Sequence, residues 1–190
     1  MKQALLIIDA QQELIEGNDQ EGNDQEGSVF LKEQLIENIN LVIKKAIESD
    51  AIIIFVRDTD VAEGKGEGFQ VHKGITIPTD SKTFDKAATN SFYGTGLKEY
   101  LEEQKVQHVV IMGCKTEHCI DTAVRTATVS QLDVTLVGDG HSTTGSSVLT
   151  AEQIINHHNK VLHGHYNVDN FSMVRNAAED LFDPLHDTHR

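Results

Sequence analysis

The chain has 190 residues, 38% of them hydrophobic and 24% charged, with a formal net charge of −14 at pH 7, which suits one soluble globular domain spanning 1–190 and large enough to bury a sizeable core. That charge repels nucleic-acid phosphates and anionic membrane surfaces, so neither is an expected partner; it leans toward a neutral or cationic small molecule, although surface solubility alone accounts for it. No apolar run approaches the ~20 residues needed to span a bilayer, the chain opens on strand-like sequence instead of a cleavable leader, and its two cysteines, Cys114 and Cys119, lie too close to staple a fold, so a reducing, cytoplasmic setting is expected.

In chain order, the apolar run from Ala4 to Ile8 predicts a first strand that ends in Asp9. The sequence EGNDQ then occurs at Glu16–Gln20 and again at Glu21–Gln25, with Glu26-Gly27 beginning a third copy. Nothing in it can pack, so it predicts a solvated insertion, most simply a tolerated tandem duplication; its place after the first strand would also suit a lid. Between Leu31 and Ser49, the residues Leu35, Ile39, Val42, Ile43 and Ala46 form one helical stripe, and Ala51 to Val56 reads as a buried strand. Asp58 to Thr83, with four glycines and one proline, lacks periodicity and predicts a long excursion over the site. Val109–Met112 and Val134–Val137 are further strands, each followed by glycine and a polar loop. Ile120, Ala123, Val124 and Ala127 mark a helix that opens near Cys119. A helix from Thr150 to about Leu162, a short strand near Tyr166–Val168 and a last amphipathic helix from about Ser172 to Phe182 complete the chain. Strand-length runs alternating with helical segments predict a parallel sheet covered on both faces by helices, a three-layer Rossmann-like α/β fold.

Ligands of an open parallel sheet gather outside the carboxyl ends of its strands, where Asp9 and Cys119 both fall. A helix start offers free N–H groups and partial positive charge, which favour a thiolate and can hold a developing oxyanion. Asp9 alone reads more readily as a cap; beside Cys119 it becomes a base, and a lysine is then needed to steady the charges. His118 and His141 are candidates for lining the pocket, Phe92 and Tyr93 for an apolar wall, and Gln11, two residues after Asp9, for a substrate contact. His157, His158, His163 and His165 cluster in sequence, but no HExxH spacing occurs and no cysteine is near, so no metal is expected.

TFDKAATNSFYGTGL from Thr83 to Leu97 and GCKTEHCIDTAVRTA from Gly113 to Ala127 resemble the isochorismatase-like cysteine hydrolases. The likeness extends to LLIIDAQQEL from Leu5, LVGDGHST from Leu136 and AEQIINHHNKVL from Ala151. It implies a six-stranded, mostly parallel sheet and a triad of Asp9 as base, Lys86 as the lysine and Cys119 as nucleophile. A cis peptide between Cys114 and Lys115 is implied as well, with the N–H groups of Lys115 and Cys119 as the oxyanion hole. The family's nicotinamidases resemble metal-dependent hydrolases, with an aspartate and histidines after the second strand. Here that region reads Arg57-Asp58-Thr59-Asp60, with His72 the only histidine of the excursion, which speaks against both a metal and nicotinamide. The resemblance therefore implies a cofactor-free homo-oligomer, dimer or tetramer, of the amidohydrolase branch, hydrolysing a small amide, cyclic amide or ureido compound through an acyl-enzyme on Cys119. Vinyl-ether hydrolysis, which needs no thiol, a catalytically silent binding relative, and a redox sensor pairing Cys119 with Cys114 are the alternatives.

Overall fold

The computed structural model describes residues 1–18, 27–182 and 185–189; most of the EGNDQ repeat, residues 19–26, and with it both readings of the repeat, lies outside them, while Glu16 at its start pairs with Lys32 and with His72. Seven strands form one sheet in the order β3-β2-β1-β4-β5-β7-β6. They are β1 (Lys2–Ile8), β2 (Ile52–Asp58), β3 (Lys82–Lys86), β4 (Val106–Cys114), β5 (Asp133–Ser142), β6 (Tyr166–Asn167) and β7 (Asn170–Arg175). The helices are α1 (Gln12–Glu16), α2 (Lys32–Glu48), α3 (Gly66–Phe69), α4 (Leu97–Glu103), α5 (Asp121–Val129) and α6 (Ala151–Leu162). All neighbouring strands run parallel except the two-residue β6, which pairs antiparallel with β7. The six-strand expectation thus matches the parallel set, and β6 is the addition.

Alternation along the central strands sorts the core into two layers. Leu5 and Ile7 of β1 and Val110 and Met112 of β4 pack with Leu35, Ile39, Val42, Ile43 and Ala46 of α2. Ala4, Leu6 and Ile8 with Val109 and Ile111 point the other way, onto Leu97 and Leu101 of α4 and Ala123, Val124 and Ala127 of α5. Each of the larger apolar side chains so buried contributes about 1.5–3 kcal/mol relative to exposure. Among the described residues, no helix is long and apolar enough to cross a membrane.

Two sequence expectations change. Residues 172–182 do not form a helix: Asn170–Arg175 is β7, paired to β5 from Val134↔Ser172 to Val137↔Arg175, and Ala177, Leu181 and Phe182 follow as turns that cover the α2 face. The four-residue spacing of Met173, Ala177 and Leu181 mimics a helical stripe, but pairing satisfies the backbone of 172–175 and leaves no helical ladder. The excursion after β2 is also partly ordered. It holds a turn at Val61–Gly64, α3, and a bridge between Val71 and Gln11, and it ends in β3.

Candidate active site

Three strands deliver the candidate groups to one edge of the sheet. Asp9 follows β1, Lys86 ends β3, and Cys119 sits in a π-type turn, Thr116–Ile120, between β4 and α5. From β1 the chain order departs toward β2 on one side and β4 on the other, so the β1/β4 junction is the switch point where a parallel sheet opens a crevice. A cavity of about 350 Å³ lies there, lined by Asp9, Glu13, Leu14, Asp58, Asp60, Val61, Thr89, Lys115, His118 and Cys119 among others.

The backbone around it is unusual. Gly113, paired with Ile8, has φ +125°, and a Cβ there would stand 1.9 Å from the Ile8 carbonyl oxygen, so only glycine lets β4 pass so close beside β1. Asp9 adopts the left-handed region with φ 51°, which aspartate tolerates better than most residues, and donates its N–H to the Val56 carbonyl at 2.8 Å. The peptide between Cys114 and Lys115 is cis. Beyond it, the Lys115 carbonyl accepts from the N–H groups of His118 and Ile120, each at 3.2 Å, closing the turn that carries Cys119.

Lys86 is the hub. The residue is only 1% exposed, and its Nζ lies 3.0 Å from Asp9 Oδ2 and 3.4 Å from Cys119 Sγ while donating to Asp58 Oδ2. A buried ammonium persists only when anions surround it. Burial works against the charge, but Asp9, Cys119 and the hydrogen bonds to Asp58 and Asp9 outweigh it and hold Lys86 above the ordinary lysine range. Burial pushes Asp9 up to about 6 even though Lys86 and Cys119 pull it down, and Asp9 Oδ1 has no hydrogen-bond partner. Burial, then the neighbouring Asp9, push the Cys119 thiol up to about 12 against the pull of Lys86. The helix start therefore does not leave a resting thiolate, contrary to the sequence expectation: the turn that presents the sulfur also buries it, at 9% exposure, beside an anion. At neutral pH the cluster holds a thiol, an ionised aspartate and an ammonium.

Asp58 is the residue that sequence reasoning missed; its position opposite Lys86 in the β2–β3 register would have found it, had β3 been recognised. Asp9, Asp58 and Cys119 bring ligand atoms within 4.8 Å of one another, the one grouping of that kind among the described residues. Lys86 Nζ contacts all three, so the cation they surround is the protein's own.

The remaining sequence candidates divide. His118 is exposed and lines the cleft. Phe92 packs against the α4–α5 core layer, and Tyr93 is 73% exposed; neither lines the cleft. His141 lies behind the nucleophile turn, buried, with Nδ1 2.9 Å from Thr116 Oγ1 and Nε2 2.9 Å from Asn159 Oδ1. The Asn159 amide donates to the Gly138 carbonyl at 2.8 Å, so its oxygen faces His141. The neutral ring, its pKa lowered by burial to about 4, thus donates through Nε2 and accepts from Thr116. This chain ties α6 and β5 to the turn that holds Cys119. Cys114 is fully buried with Leu5, Ile7, Val110 and Met112 on the α2 side, whereas Cys119 belongs to the opposite layer. That placement makes Cys114 a core residue and a poor resolving thiol.

Gln11 is 0% exposed and reaches no substrate space. Its Oε1 accepts from the Asp58 N–H at 2.7 Å, and its Nε2 donates to the carbonyls of Asp58 and Phe69 at 3.1 and 2.9 Å. It thereby fixes Asp58, and through Asp58 the ammonium. Gln11→Leu should lower unfolding free energy by about 2–3 kcal/mol through the stranded backbone groups, read from the urea midpoint at constant slope. A loss under about 1 kcal/mol would show that the amide holds nothing.

A three-layer parallel sheet with a buried acid, ammonium and thiol gathered at its switch point defines a Rossmann-like α/β hydrolase domain. The family model described as the isochorismatase domain matches residues 3–159, and the chain belongs to the isochorismatase family. It is 29% identical over 150 residues to the uncharacterized isochorismatase family protein YrdC of Bacillus subtilis (strain 168), covering 76% of this chain and 75% of that one. The isochorismatase of Pseudomonas putida KT2440 superposes with a TM-score of 0.76 at 26% identity, over 93% of this chain and 88% of that structure. N-carbamoylsarcosine amidase from Thermoplasma acidophilum superposes with a TM-score of 0.70 over 95% of this chain and 99% of its own, and at 18% identity that likeness is one of fold.

Proposed function

We propose that this family member is a cysteine hydrolase that cleaves a non-peptide carbon–nitrogen bond, in an amide, cyclic amide or ureido group of a small molecule, through an acyl-enzyme on Cys119. The observation that carries the reading is one ammonium, Lys86 Nζ, in contact with both Asp9 and Cys119. Passing a proton from thiol to carboxylate beside a fixed cation moves charge without creating a net charge in a buried site. In the forward step the Cys119 proton goes to Asp9 and the sulfur adds to the carbonyl carbon. The developing oxyanion is received by the N–H groups of Lys115 and Cys119, each worth on the order of 3 kcal/mol in comparable sites. Collapse of the adduct breaks the carbon–nitrogen bond, and the proton on Asp9 passes to the departing nitrogen. Water, giving a proton to the same carboxylate, then attacks the thioester; the acid leaves and the thiol is restored.

Vinyl-ether hydrolysis is the competing reading, favoured by an Asp9 carboxyl near 6 that can act as an acid. The dependence of kcat/KM on pH separates the two. A base must be ionised, so thiol-dependent hydrolysis should rise as pH increases through about 6; an acid must be protonated, so vinyl-ether cleavage should fall over the same window. Intact-mass spectrometry of the protein with a panel of small amides and ureido compounds should show a Cys119 adduct on the rising limb. A falling limb with no adduct would overturn the proposal.

A further inference from the structure

The cleft has a charge bias that the catalytic cluster does not use. Four carboxylates, of Asp9, Glu13, Asp58 and Asp60, line it, against the ammonium groups of Lys115 in the lining and Lys86 beneath. Lys86 is committed to Asp9 and Asp58. Glu13 and Asp60, by contrast, make no side-chain hydrogen bond or ion pair among the described residues. Glu13 is half-buried, and the end of its side chain packs over Gly68, where a Cβ would stand 2.7 Å from Glu13 Oε2. On the floor, Asp9 Oδ1 is an acceptor without a donor in a residue that is 1% exposed. A buried acceptor left unmatched is costly, and an amide or ureido N–H reaching the nucleophile supplies the match.

We infer that the substrate is a cation: an amide or ureido compound whose N–H meets Asp9 on the floor and whose ammonium or guanidinium group is held by Glu13 and Asp60 at the mouth. The inference rests on the hydrolase reading for the bond broken, but not for the charge selected. A cleft with low-dielectric walls and one sign of charge concentrates the opposite sign, and the same field turns dicarboxylates away.

The test separates recognition from chemistry. Methanethiosulfonate reagents with a cationic aminoethyl, a neutral methyl and an anionic sulfonatoethyl group are reacted with the protein, each rate being divided by that for a free thiol. Cys119→Ala serves as the blank for Cys114. Shifts in the reactivity of the sulfur cancel in the ratio, leaving the field of the cleft. The cationic reagent should lead the anionic one by about tenfold or more at low salt and lose that lead in high salt. Glu13→Gln and Asp60→Asn should each cut the lead about threefold. A ratio near one, or a lead undiminished in the double variant, would sink the inference. Wild type is then given primary amides of matched length ending in ammonium, methyl or carboxylate. Turnover without preference for the ammonium compound overturns the inference while the hydrolase reading stands. Cation-selective labelling with turnover of none, in this set and in cyclic amide and ureido compounds bearing the same ammonium group, overturns the hydrolase reading and leaves the recognition intact.

Discussion

Replacing Cys119 with alanine should reduce amide turnover by about 10⁴-fold or more and erase the covalent adduct entirely. The expectation follows from the arrangement, not from the residue type alone. Lys86 and Asp9 are placed to stabilise a sulfur anion and to carry its proton, and without the sulfur the same site can only position water. Residual catalysis from the oxyanion donors and from binding sets the floor of the loss. The readouts are released amine or ammonia in single turnover and intact mass at quenched time points. Asp9→Asn is the necessary companion, because it removes the proton carrier in either reaction. Turnover that survives Cys119→Ala and dies in Asp9→Asn would assign the site to vinyl-ether chemistry. Loss in both variants, with the adduct gone only where the sulfur is gone, is the thiol result.

Lys86→Met should be the most destabilising single change at the site, and its cost should depend on pH. The substitution keeps the bulk of the stem but leaves the Asp9 and Asp58 carboxylates facing each other without a counter-charge, a situation that costs about 3–5 kcal/mol when a buried partner is removed. The sign of the pH effect follows from the protons bound. In the wild type, Asp9 titrates at about 6 when folded against an ordinary value of 3.8, so between those values the native state binds more protons than the unfolded chain. Stability is then greatest on the acid side and declines, by roughly 3 kcal/mol from this one group, as pH rises through that window. The Lys86 contribution, from an ammonium held above its ordinary range, is present in full below that range and lost only as pH climbs above it. Removing the ammonium takes away the main pull on Asp9, so its titration moves further upward. Urea unfolding should therefore show a larger gap between wild type and Lys86→Met at pH 8 than at pH 5, where Asp9 is protonated. Equal gaps at both values would mean that the three side chains are not coupled as drawn.

Most of the sheet and three helices, α2, α5 and α6, were legible in the chain because burial on both faces of a strand writes itself as continuous apolar sequence and burial of one helix face as a periodic stripe. Leu5 to Ile8, Ile53 to Val56 and Val109 to Met112 are buried almost without interruption, and α2 keeps one stripe inward over its length. What escaped was structure at the margins. β3 reads KTFDK, and four of its five residues are exposed or half-buried, so an edge strand with two lysines carries neither an apolar run nor an alternation. β7 failed in the opposite way, since apolar residues at helical spacing lie across a strand and the turn after it. Of the catalytic candidates, Asp9 and Cys119 were found from their places at the ends of elements, and Lys86 only by family resemblance. Asp58 was not found, because its role depends on a pairing partner twenty-eight positions away, and a polar residue at a strand end has no signature of its own. Burial also reversed a local inference: the helix start that favours a thiolate in isolation lost to desolvation once the sheet closed around the sulfur.

Lys86 comes from the outermost strand, which is joined to β2 over five residue pairs and fastened by the Arg57–Asp85 pair. Asp9 and the turn carrying Cys119 are anchored instead to the innermost strands. Sheets open from their rims at a fraction of the free energy needed to dismantle their centres. Opening of that rim would carry the ammonium away while β1, β4 and β5 remain assembled, at the cost of leaving Asp9 and Asp58 without their counter-charge, so loss of the site need not wait for global unfolding.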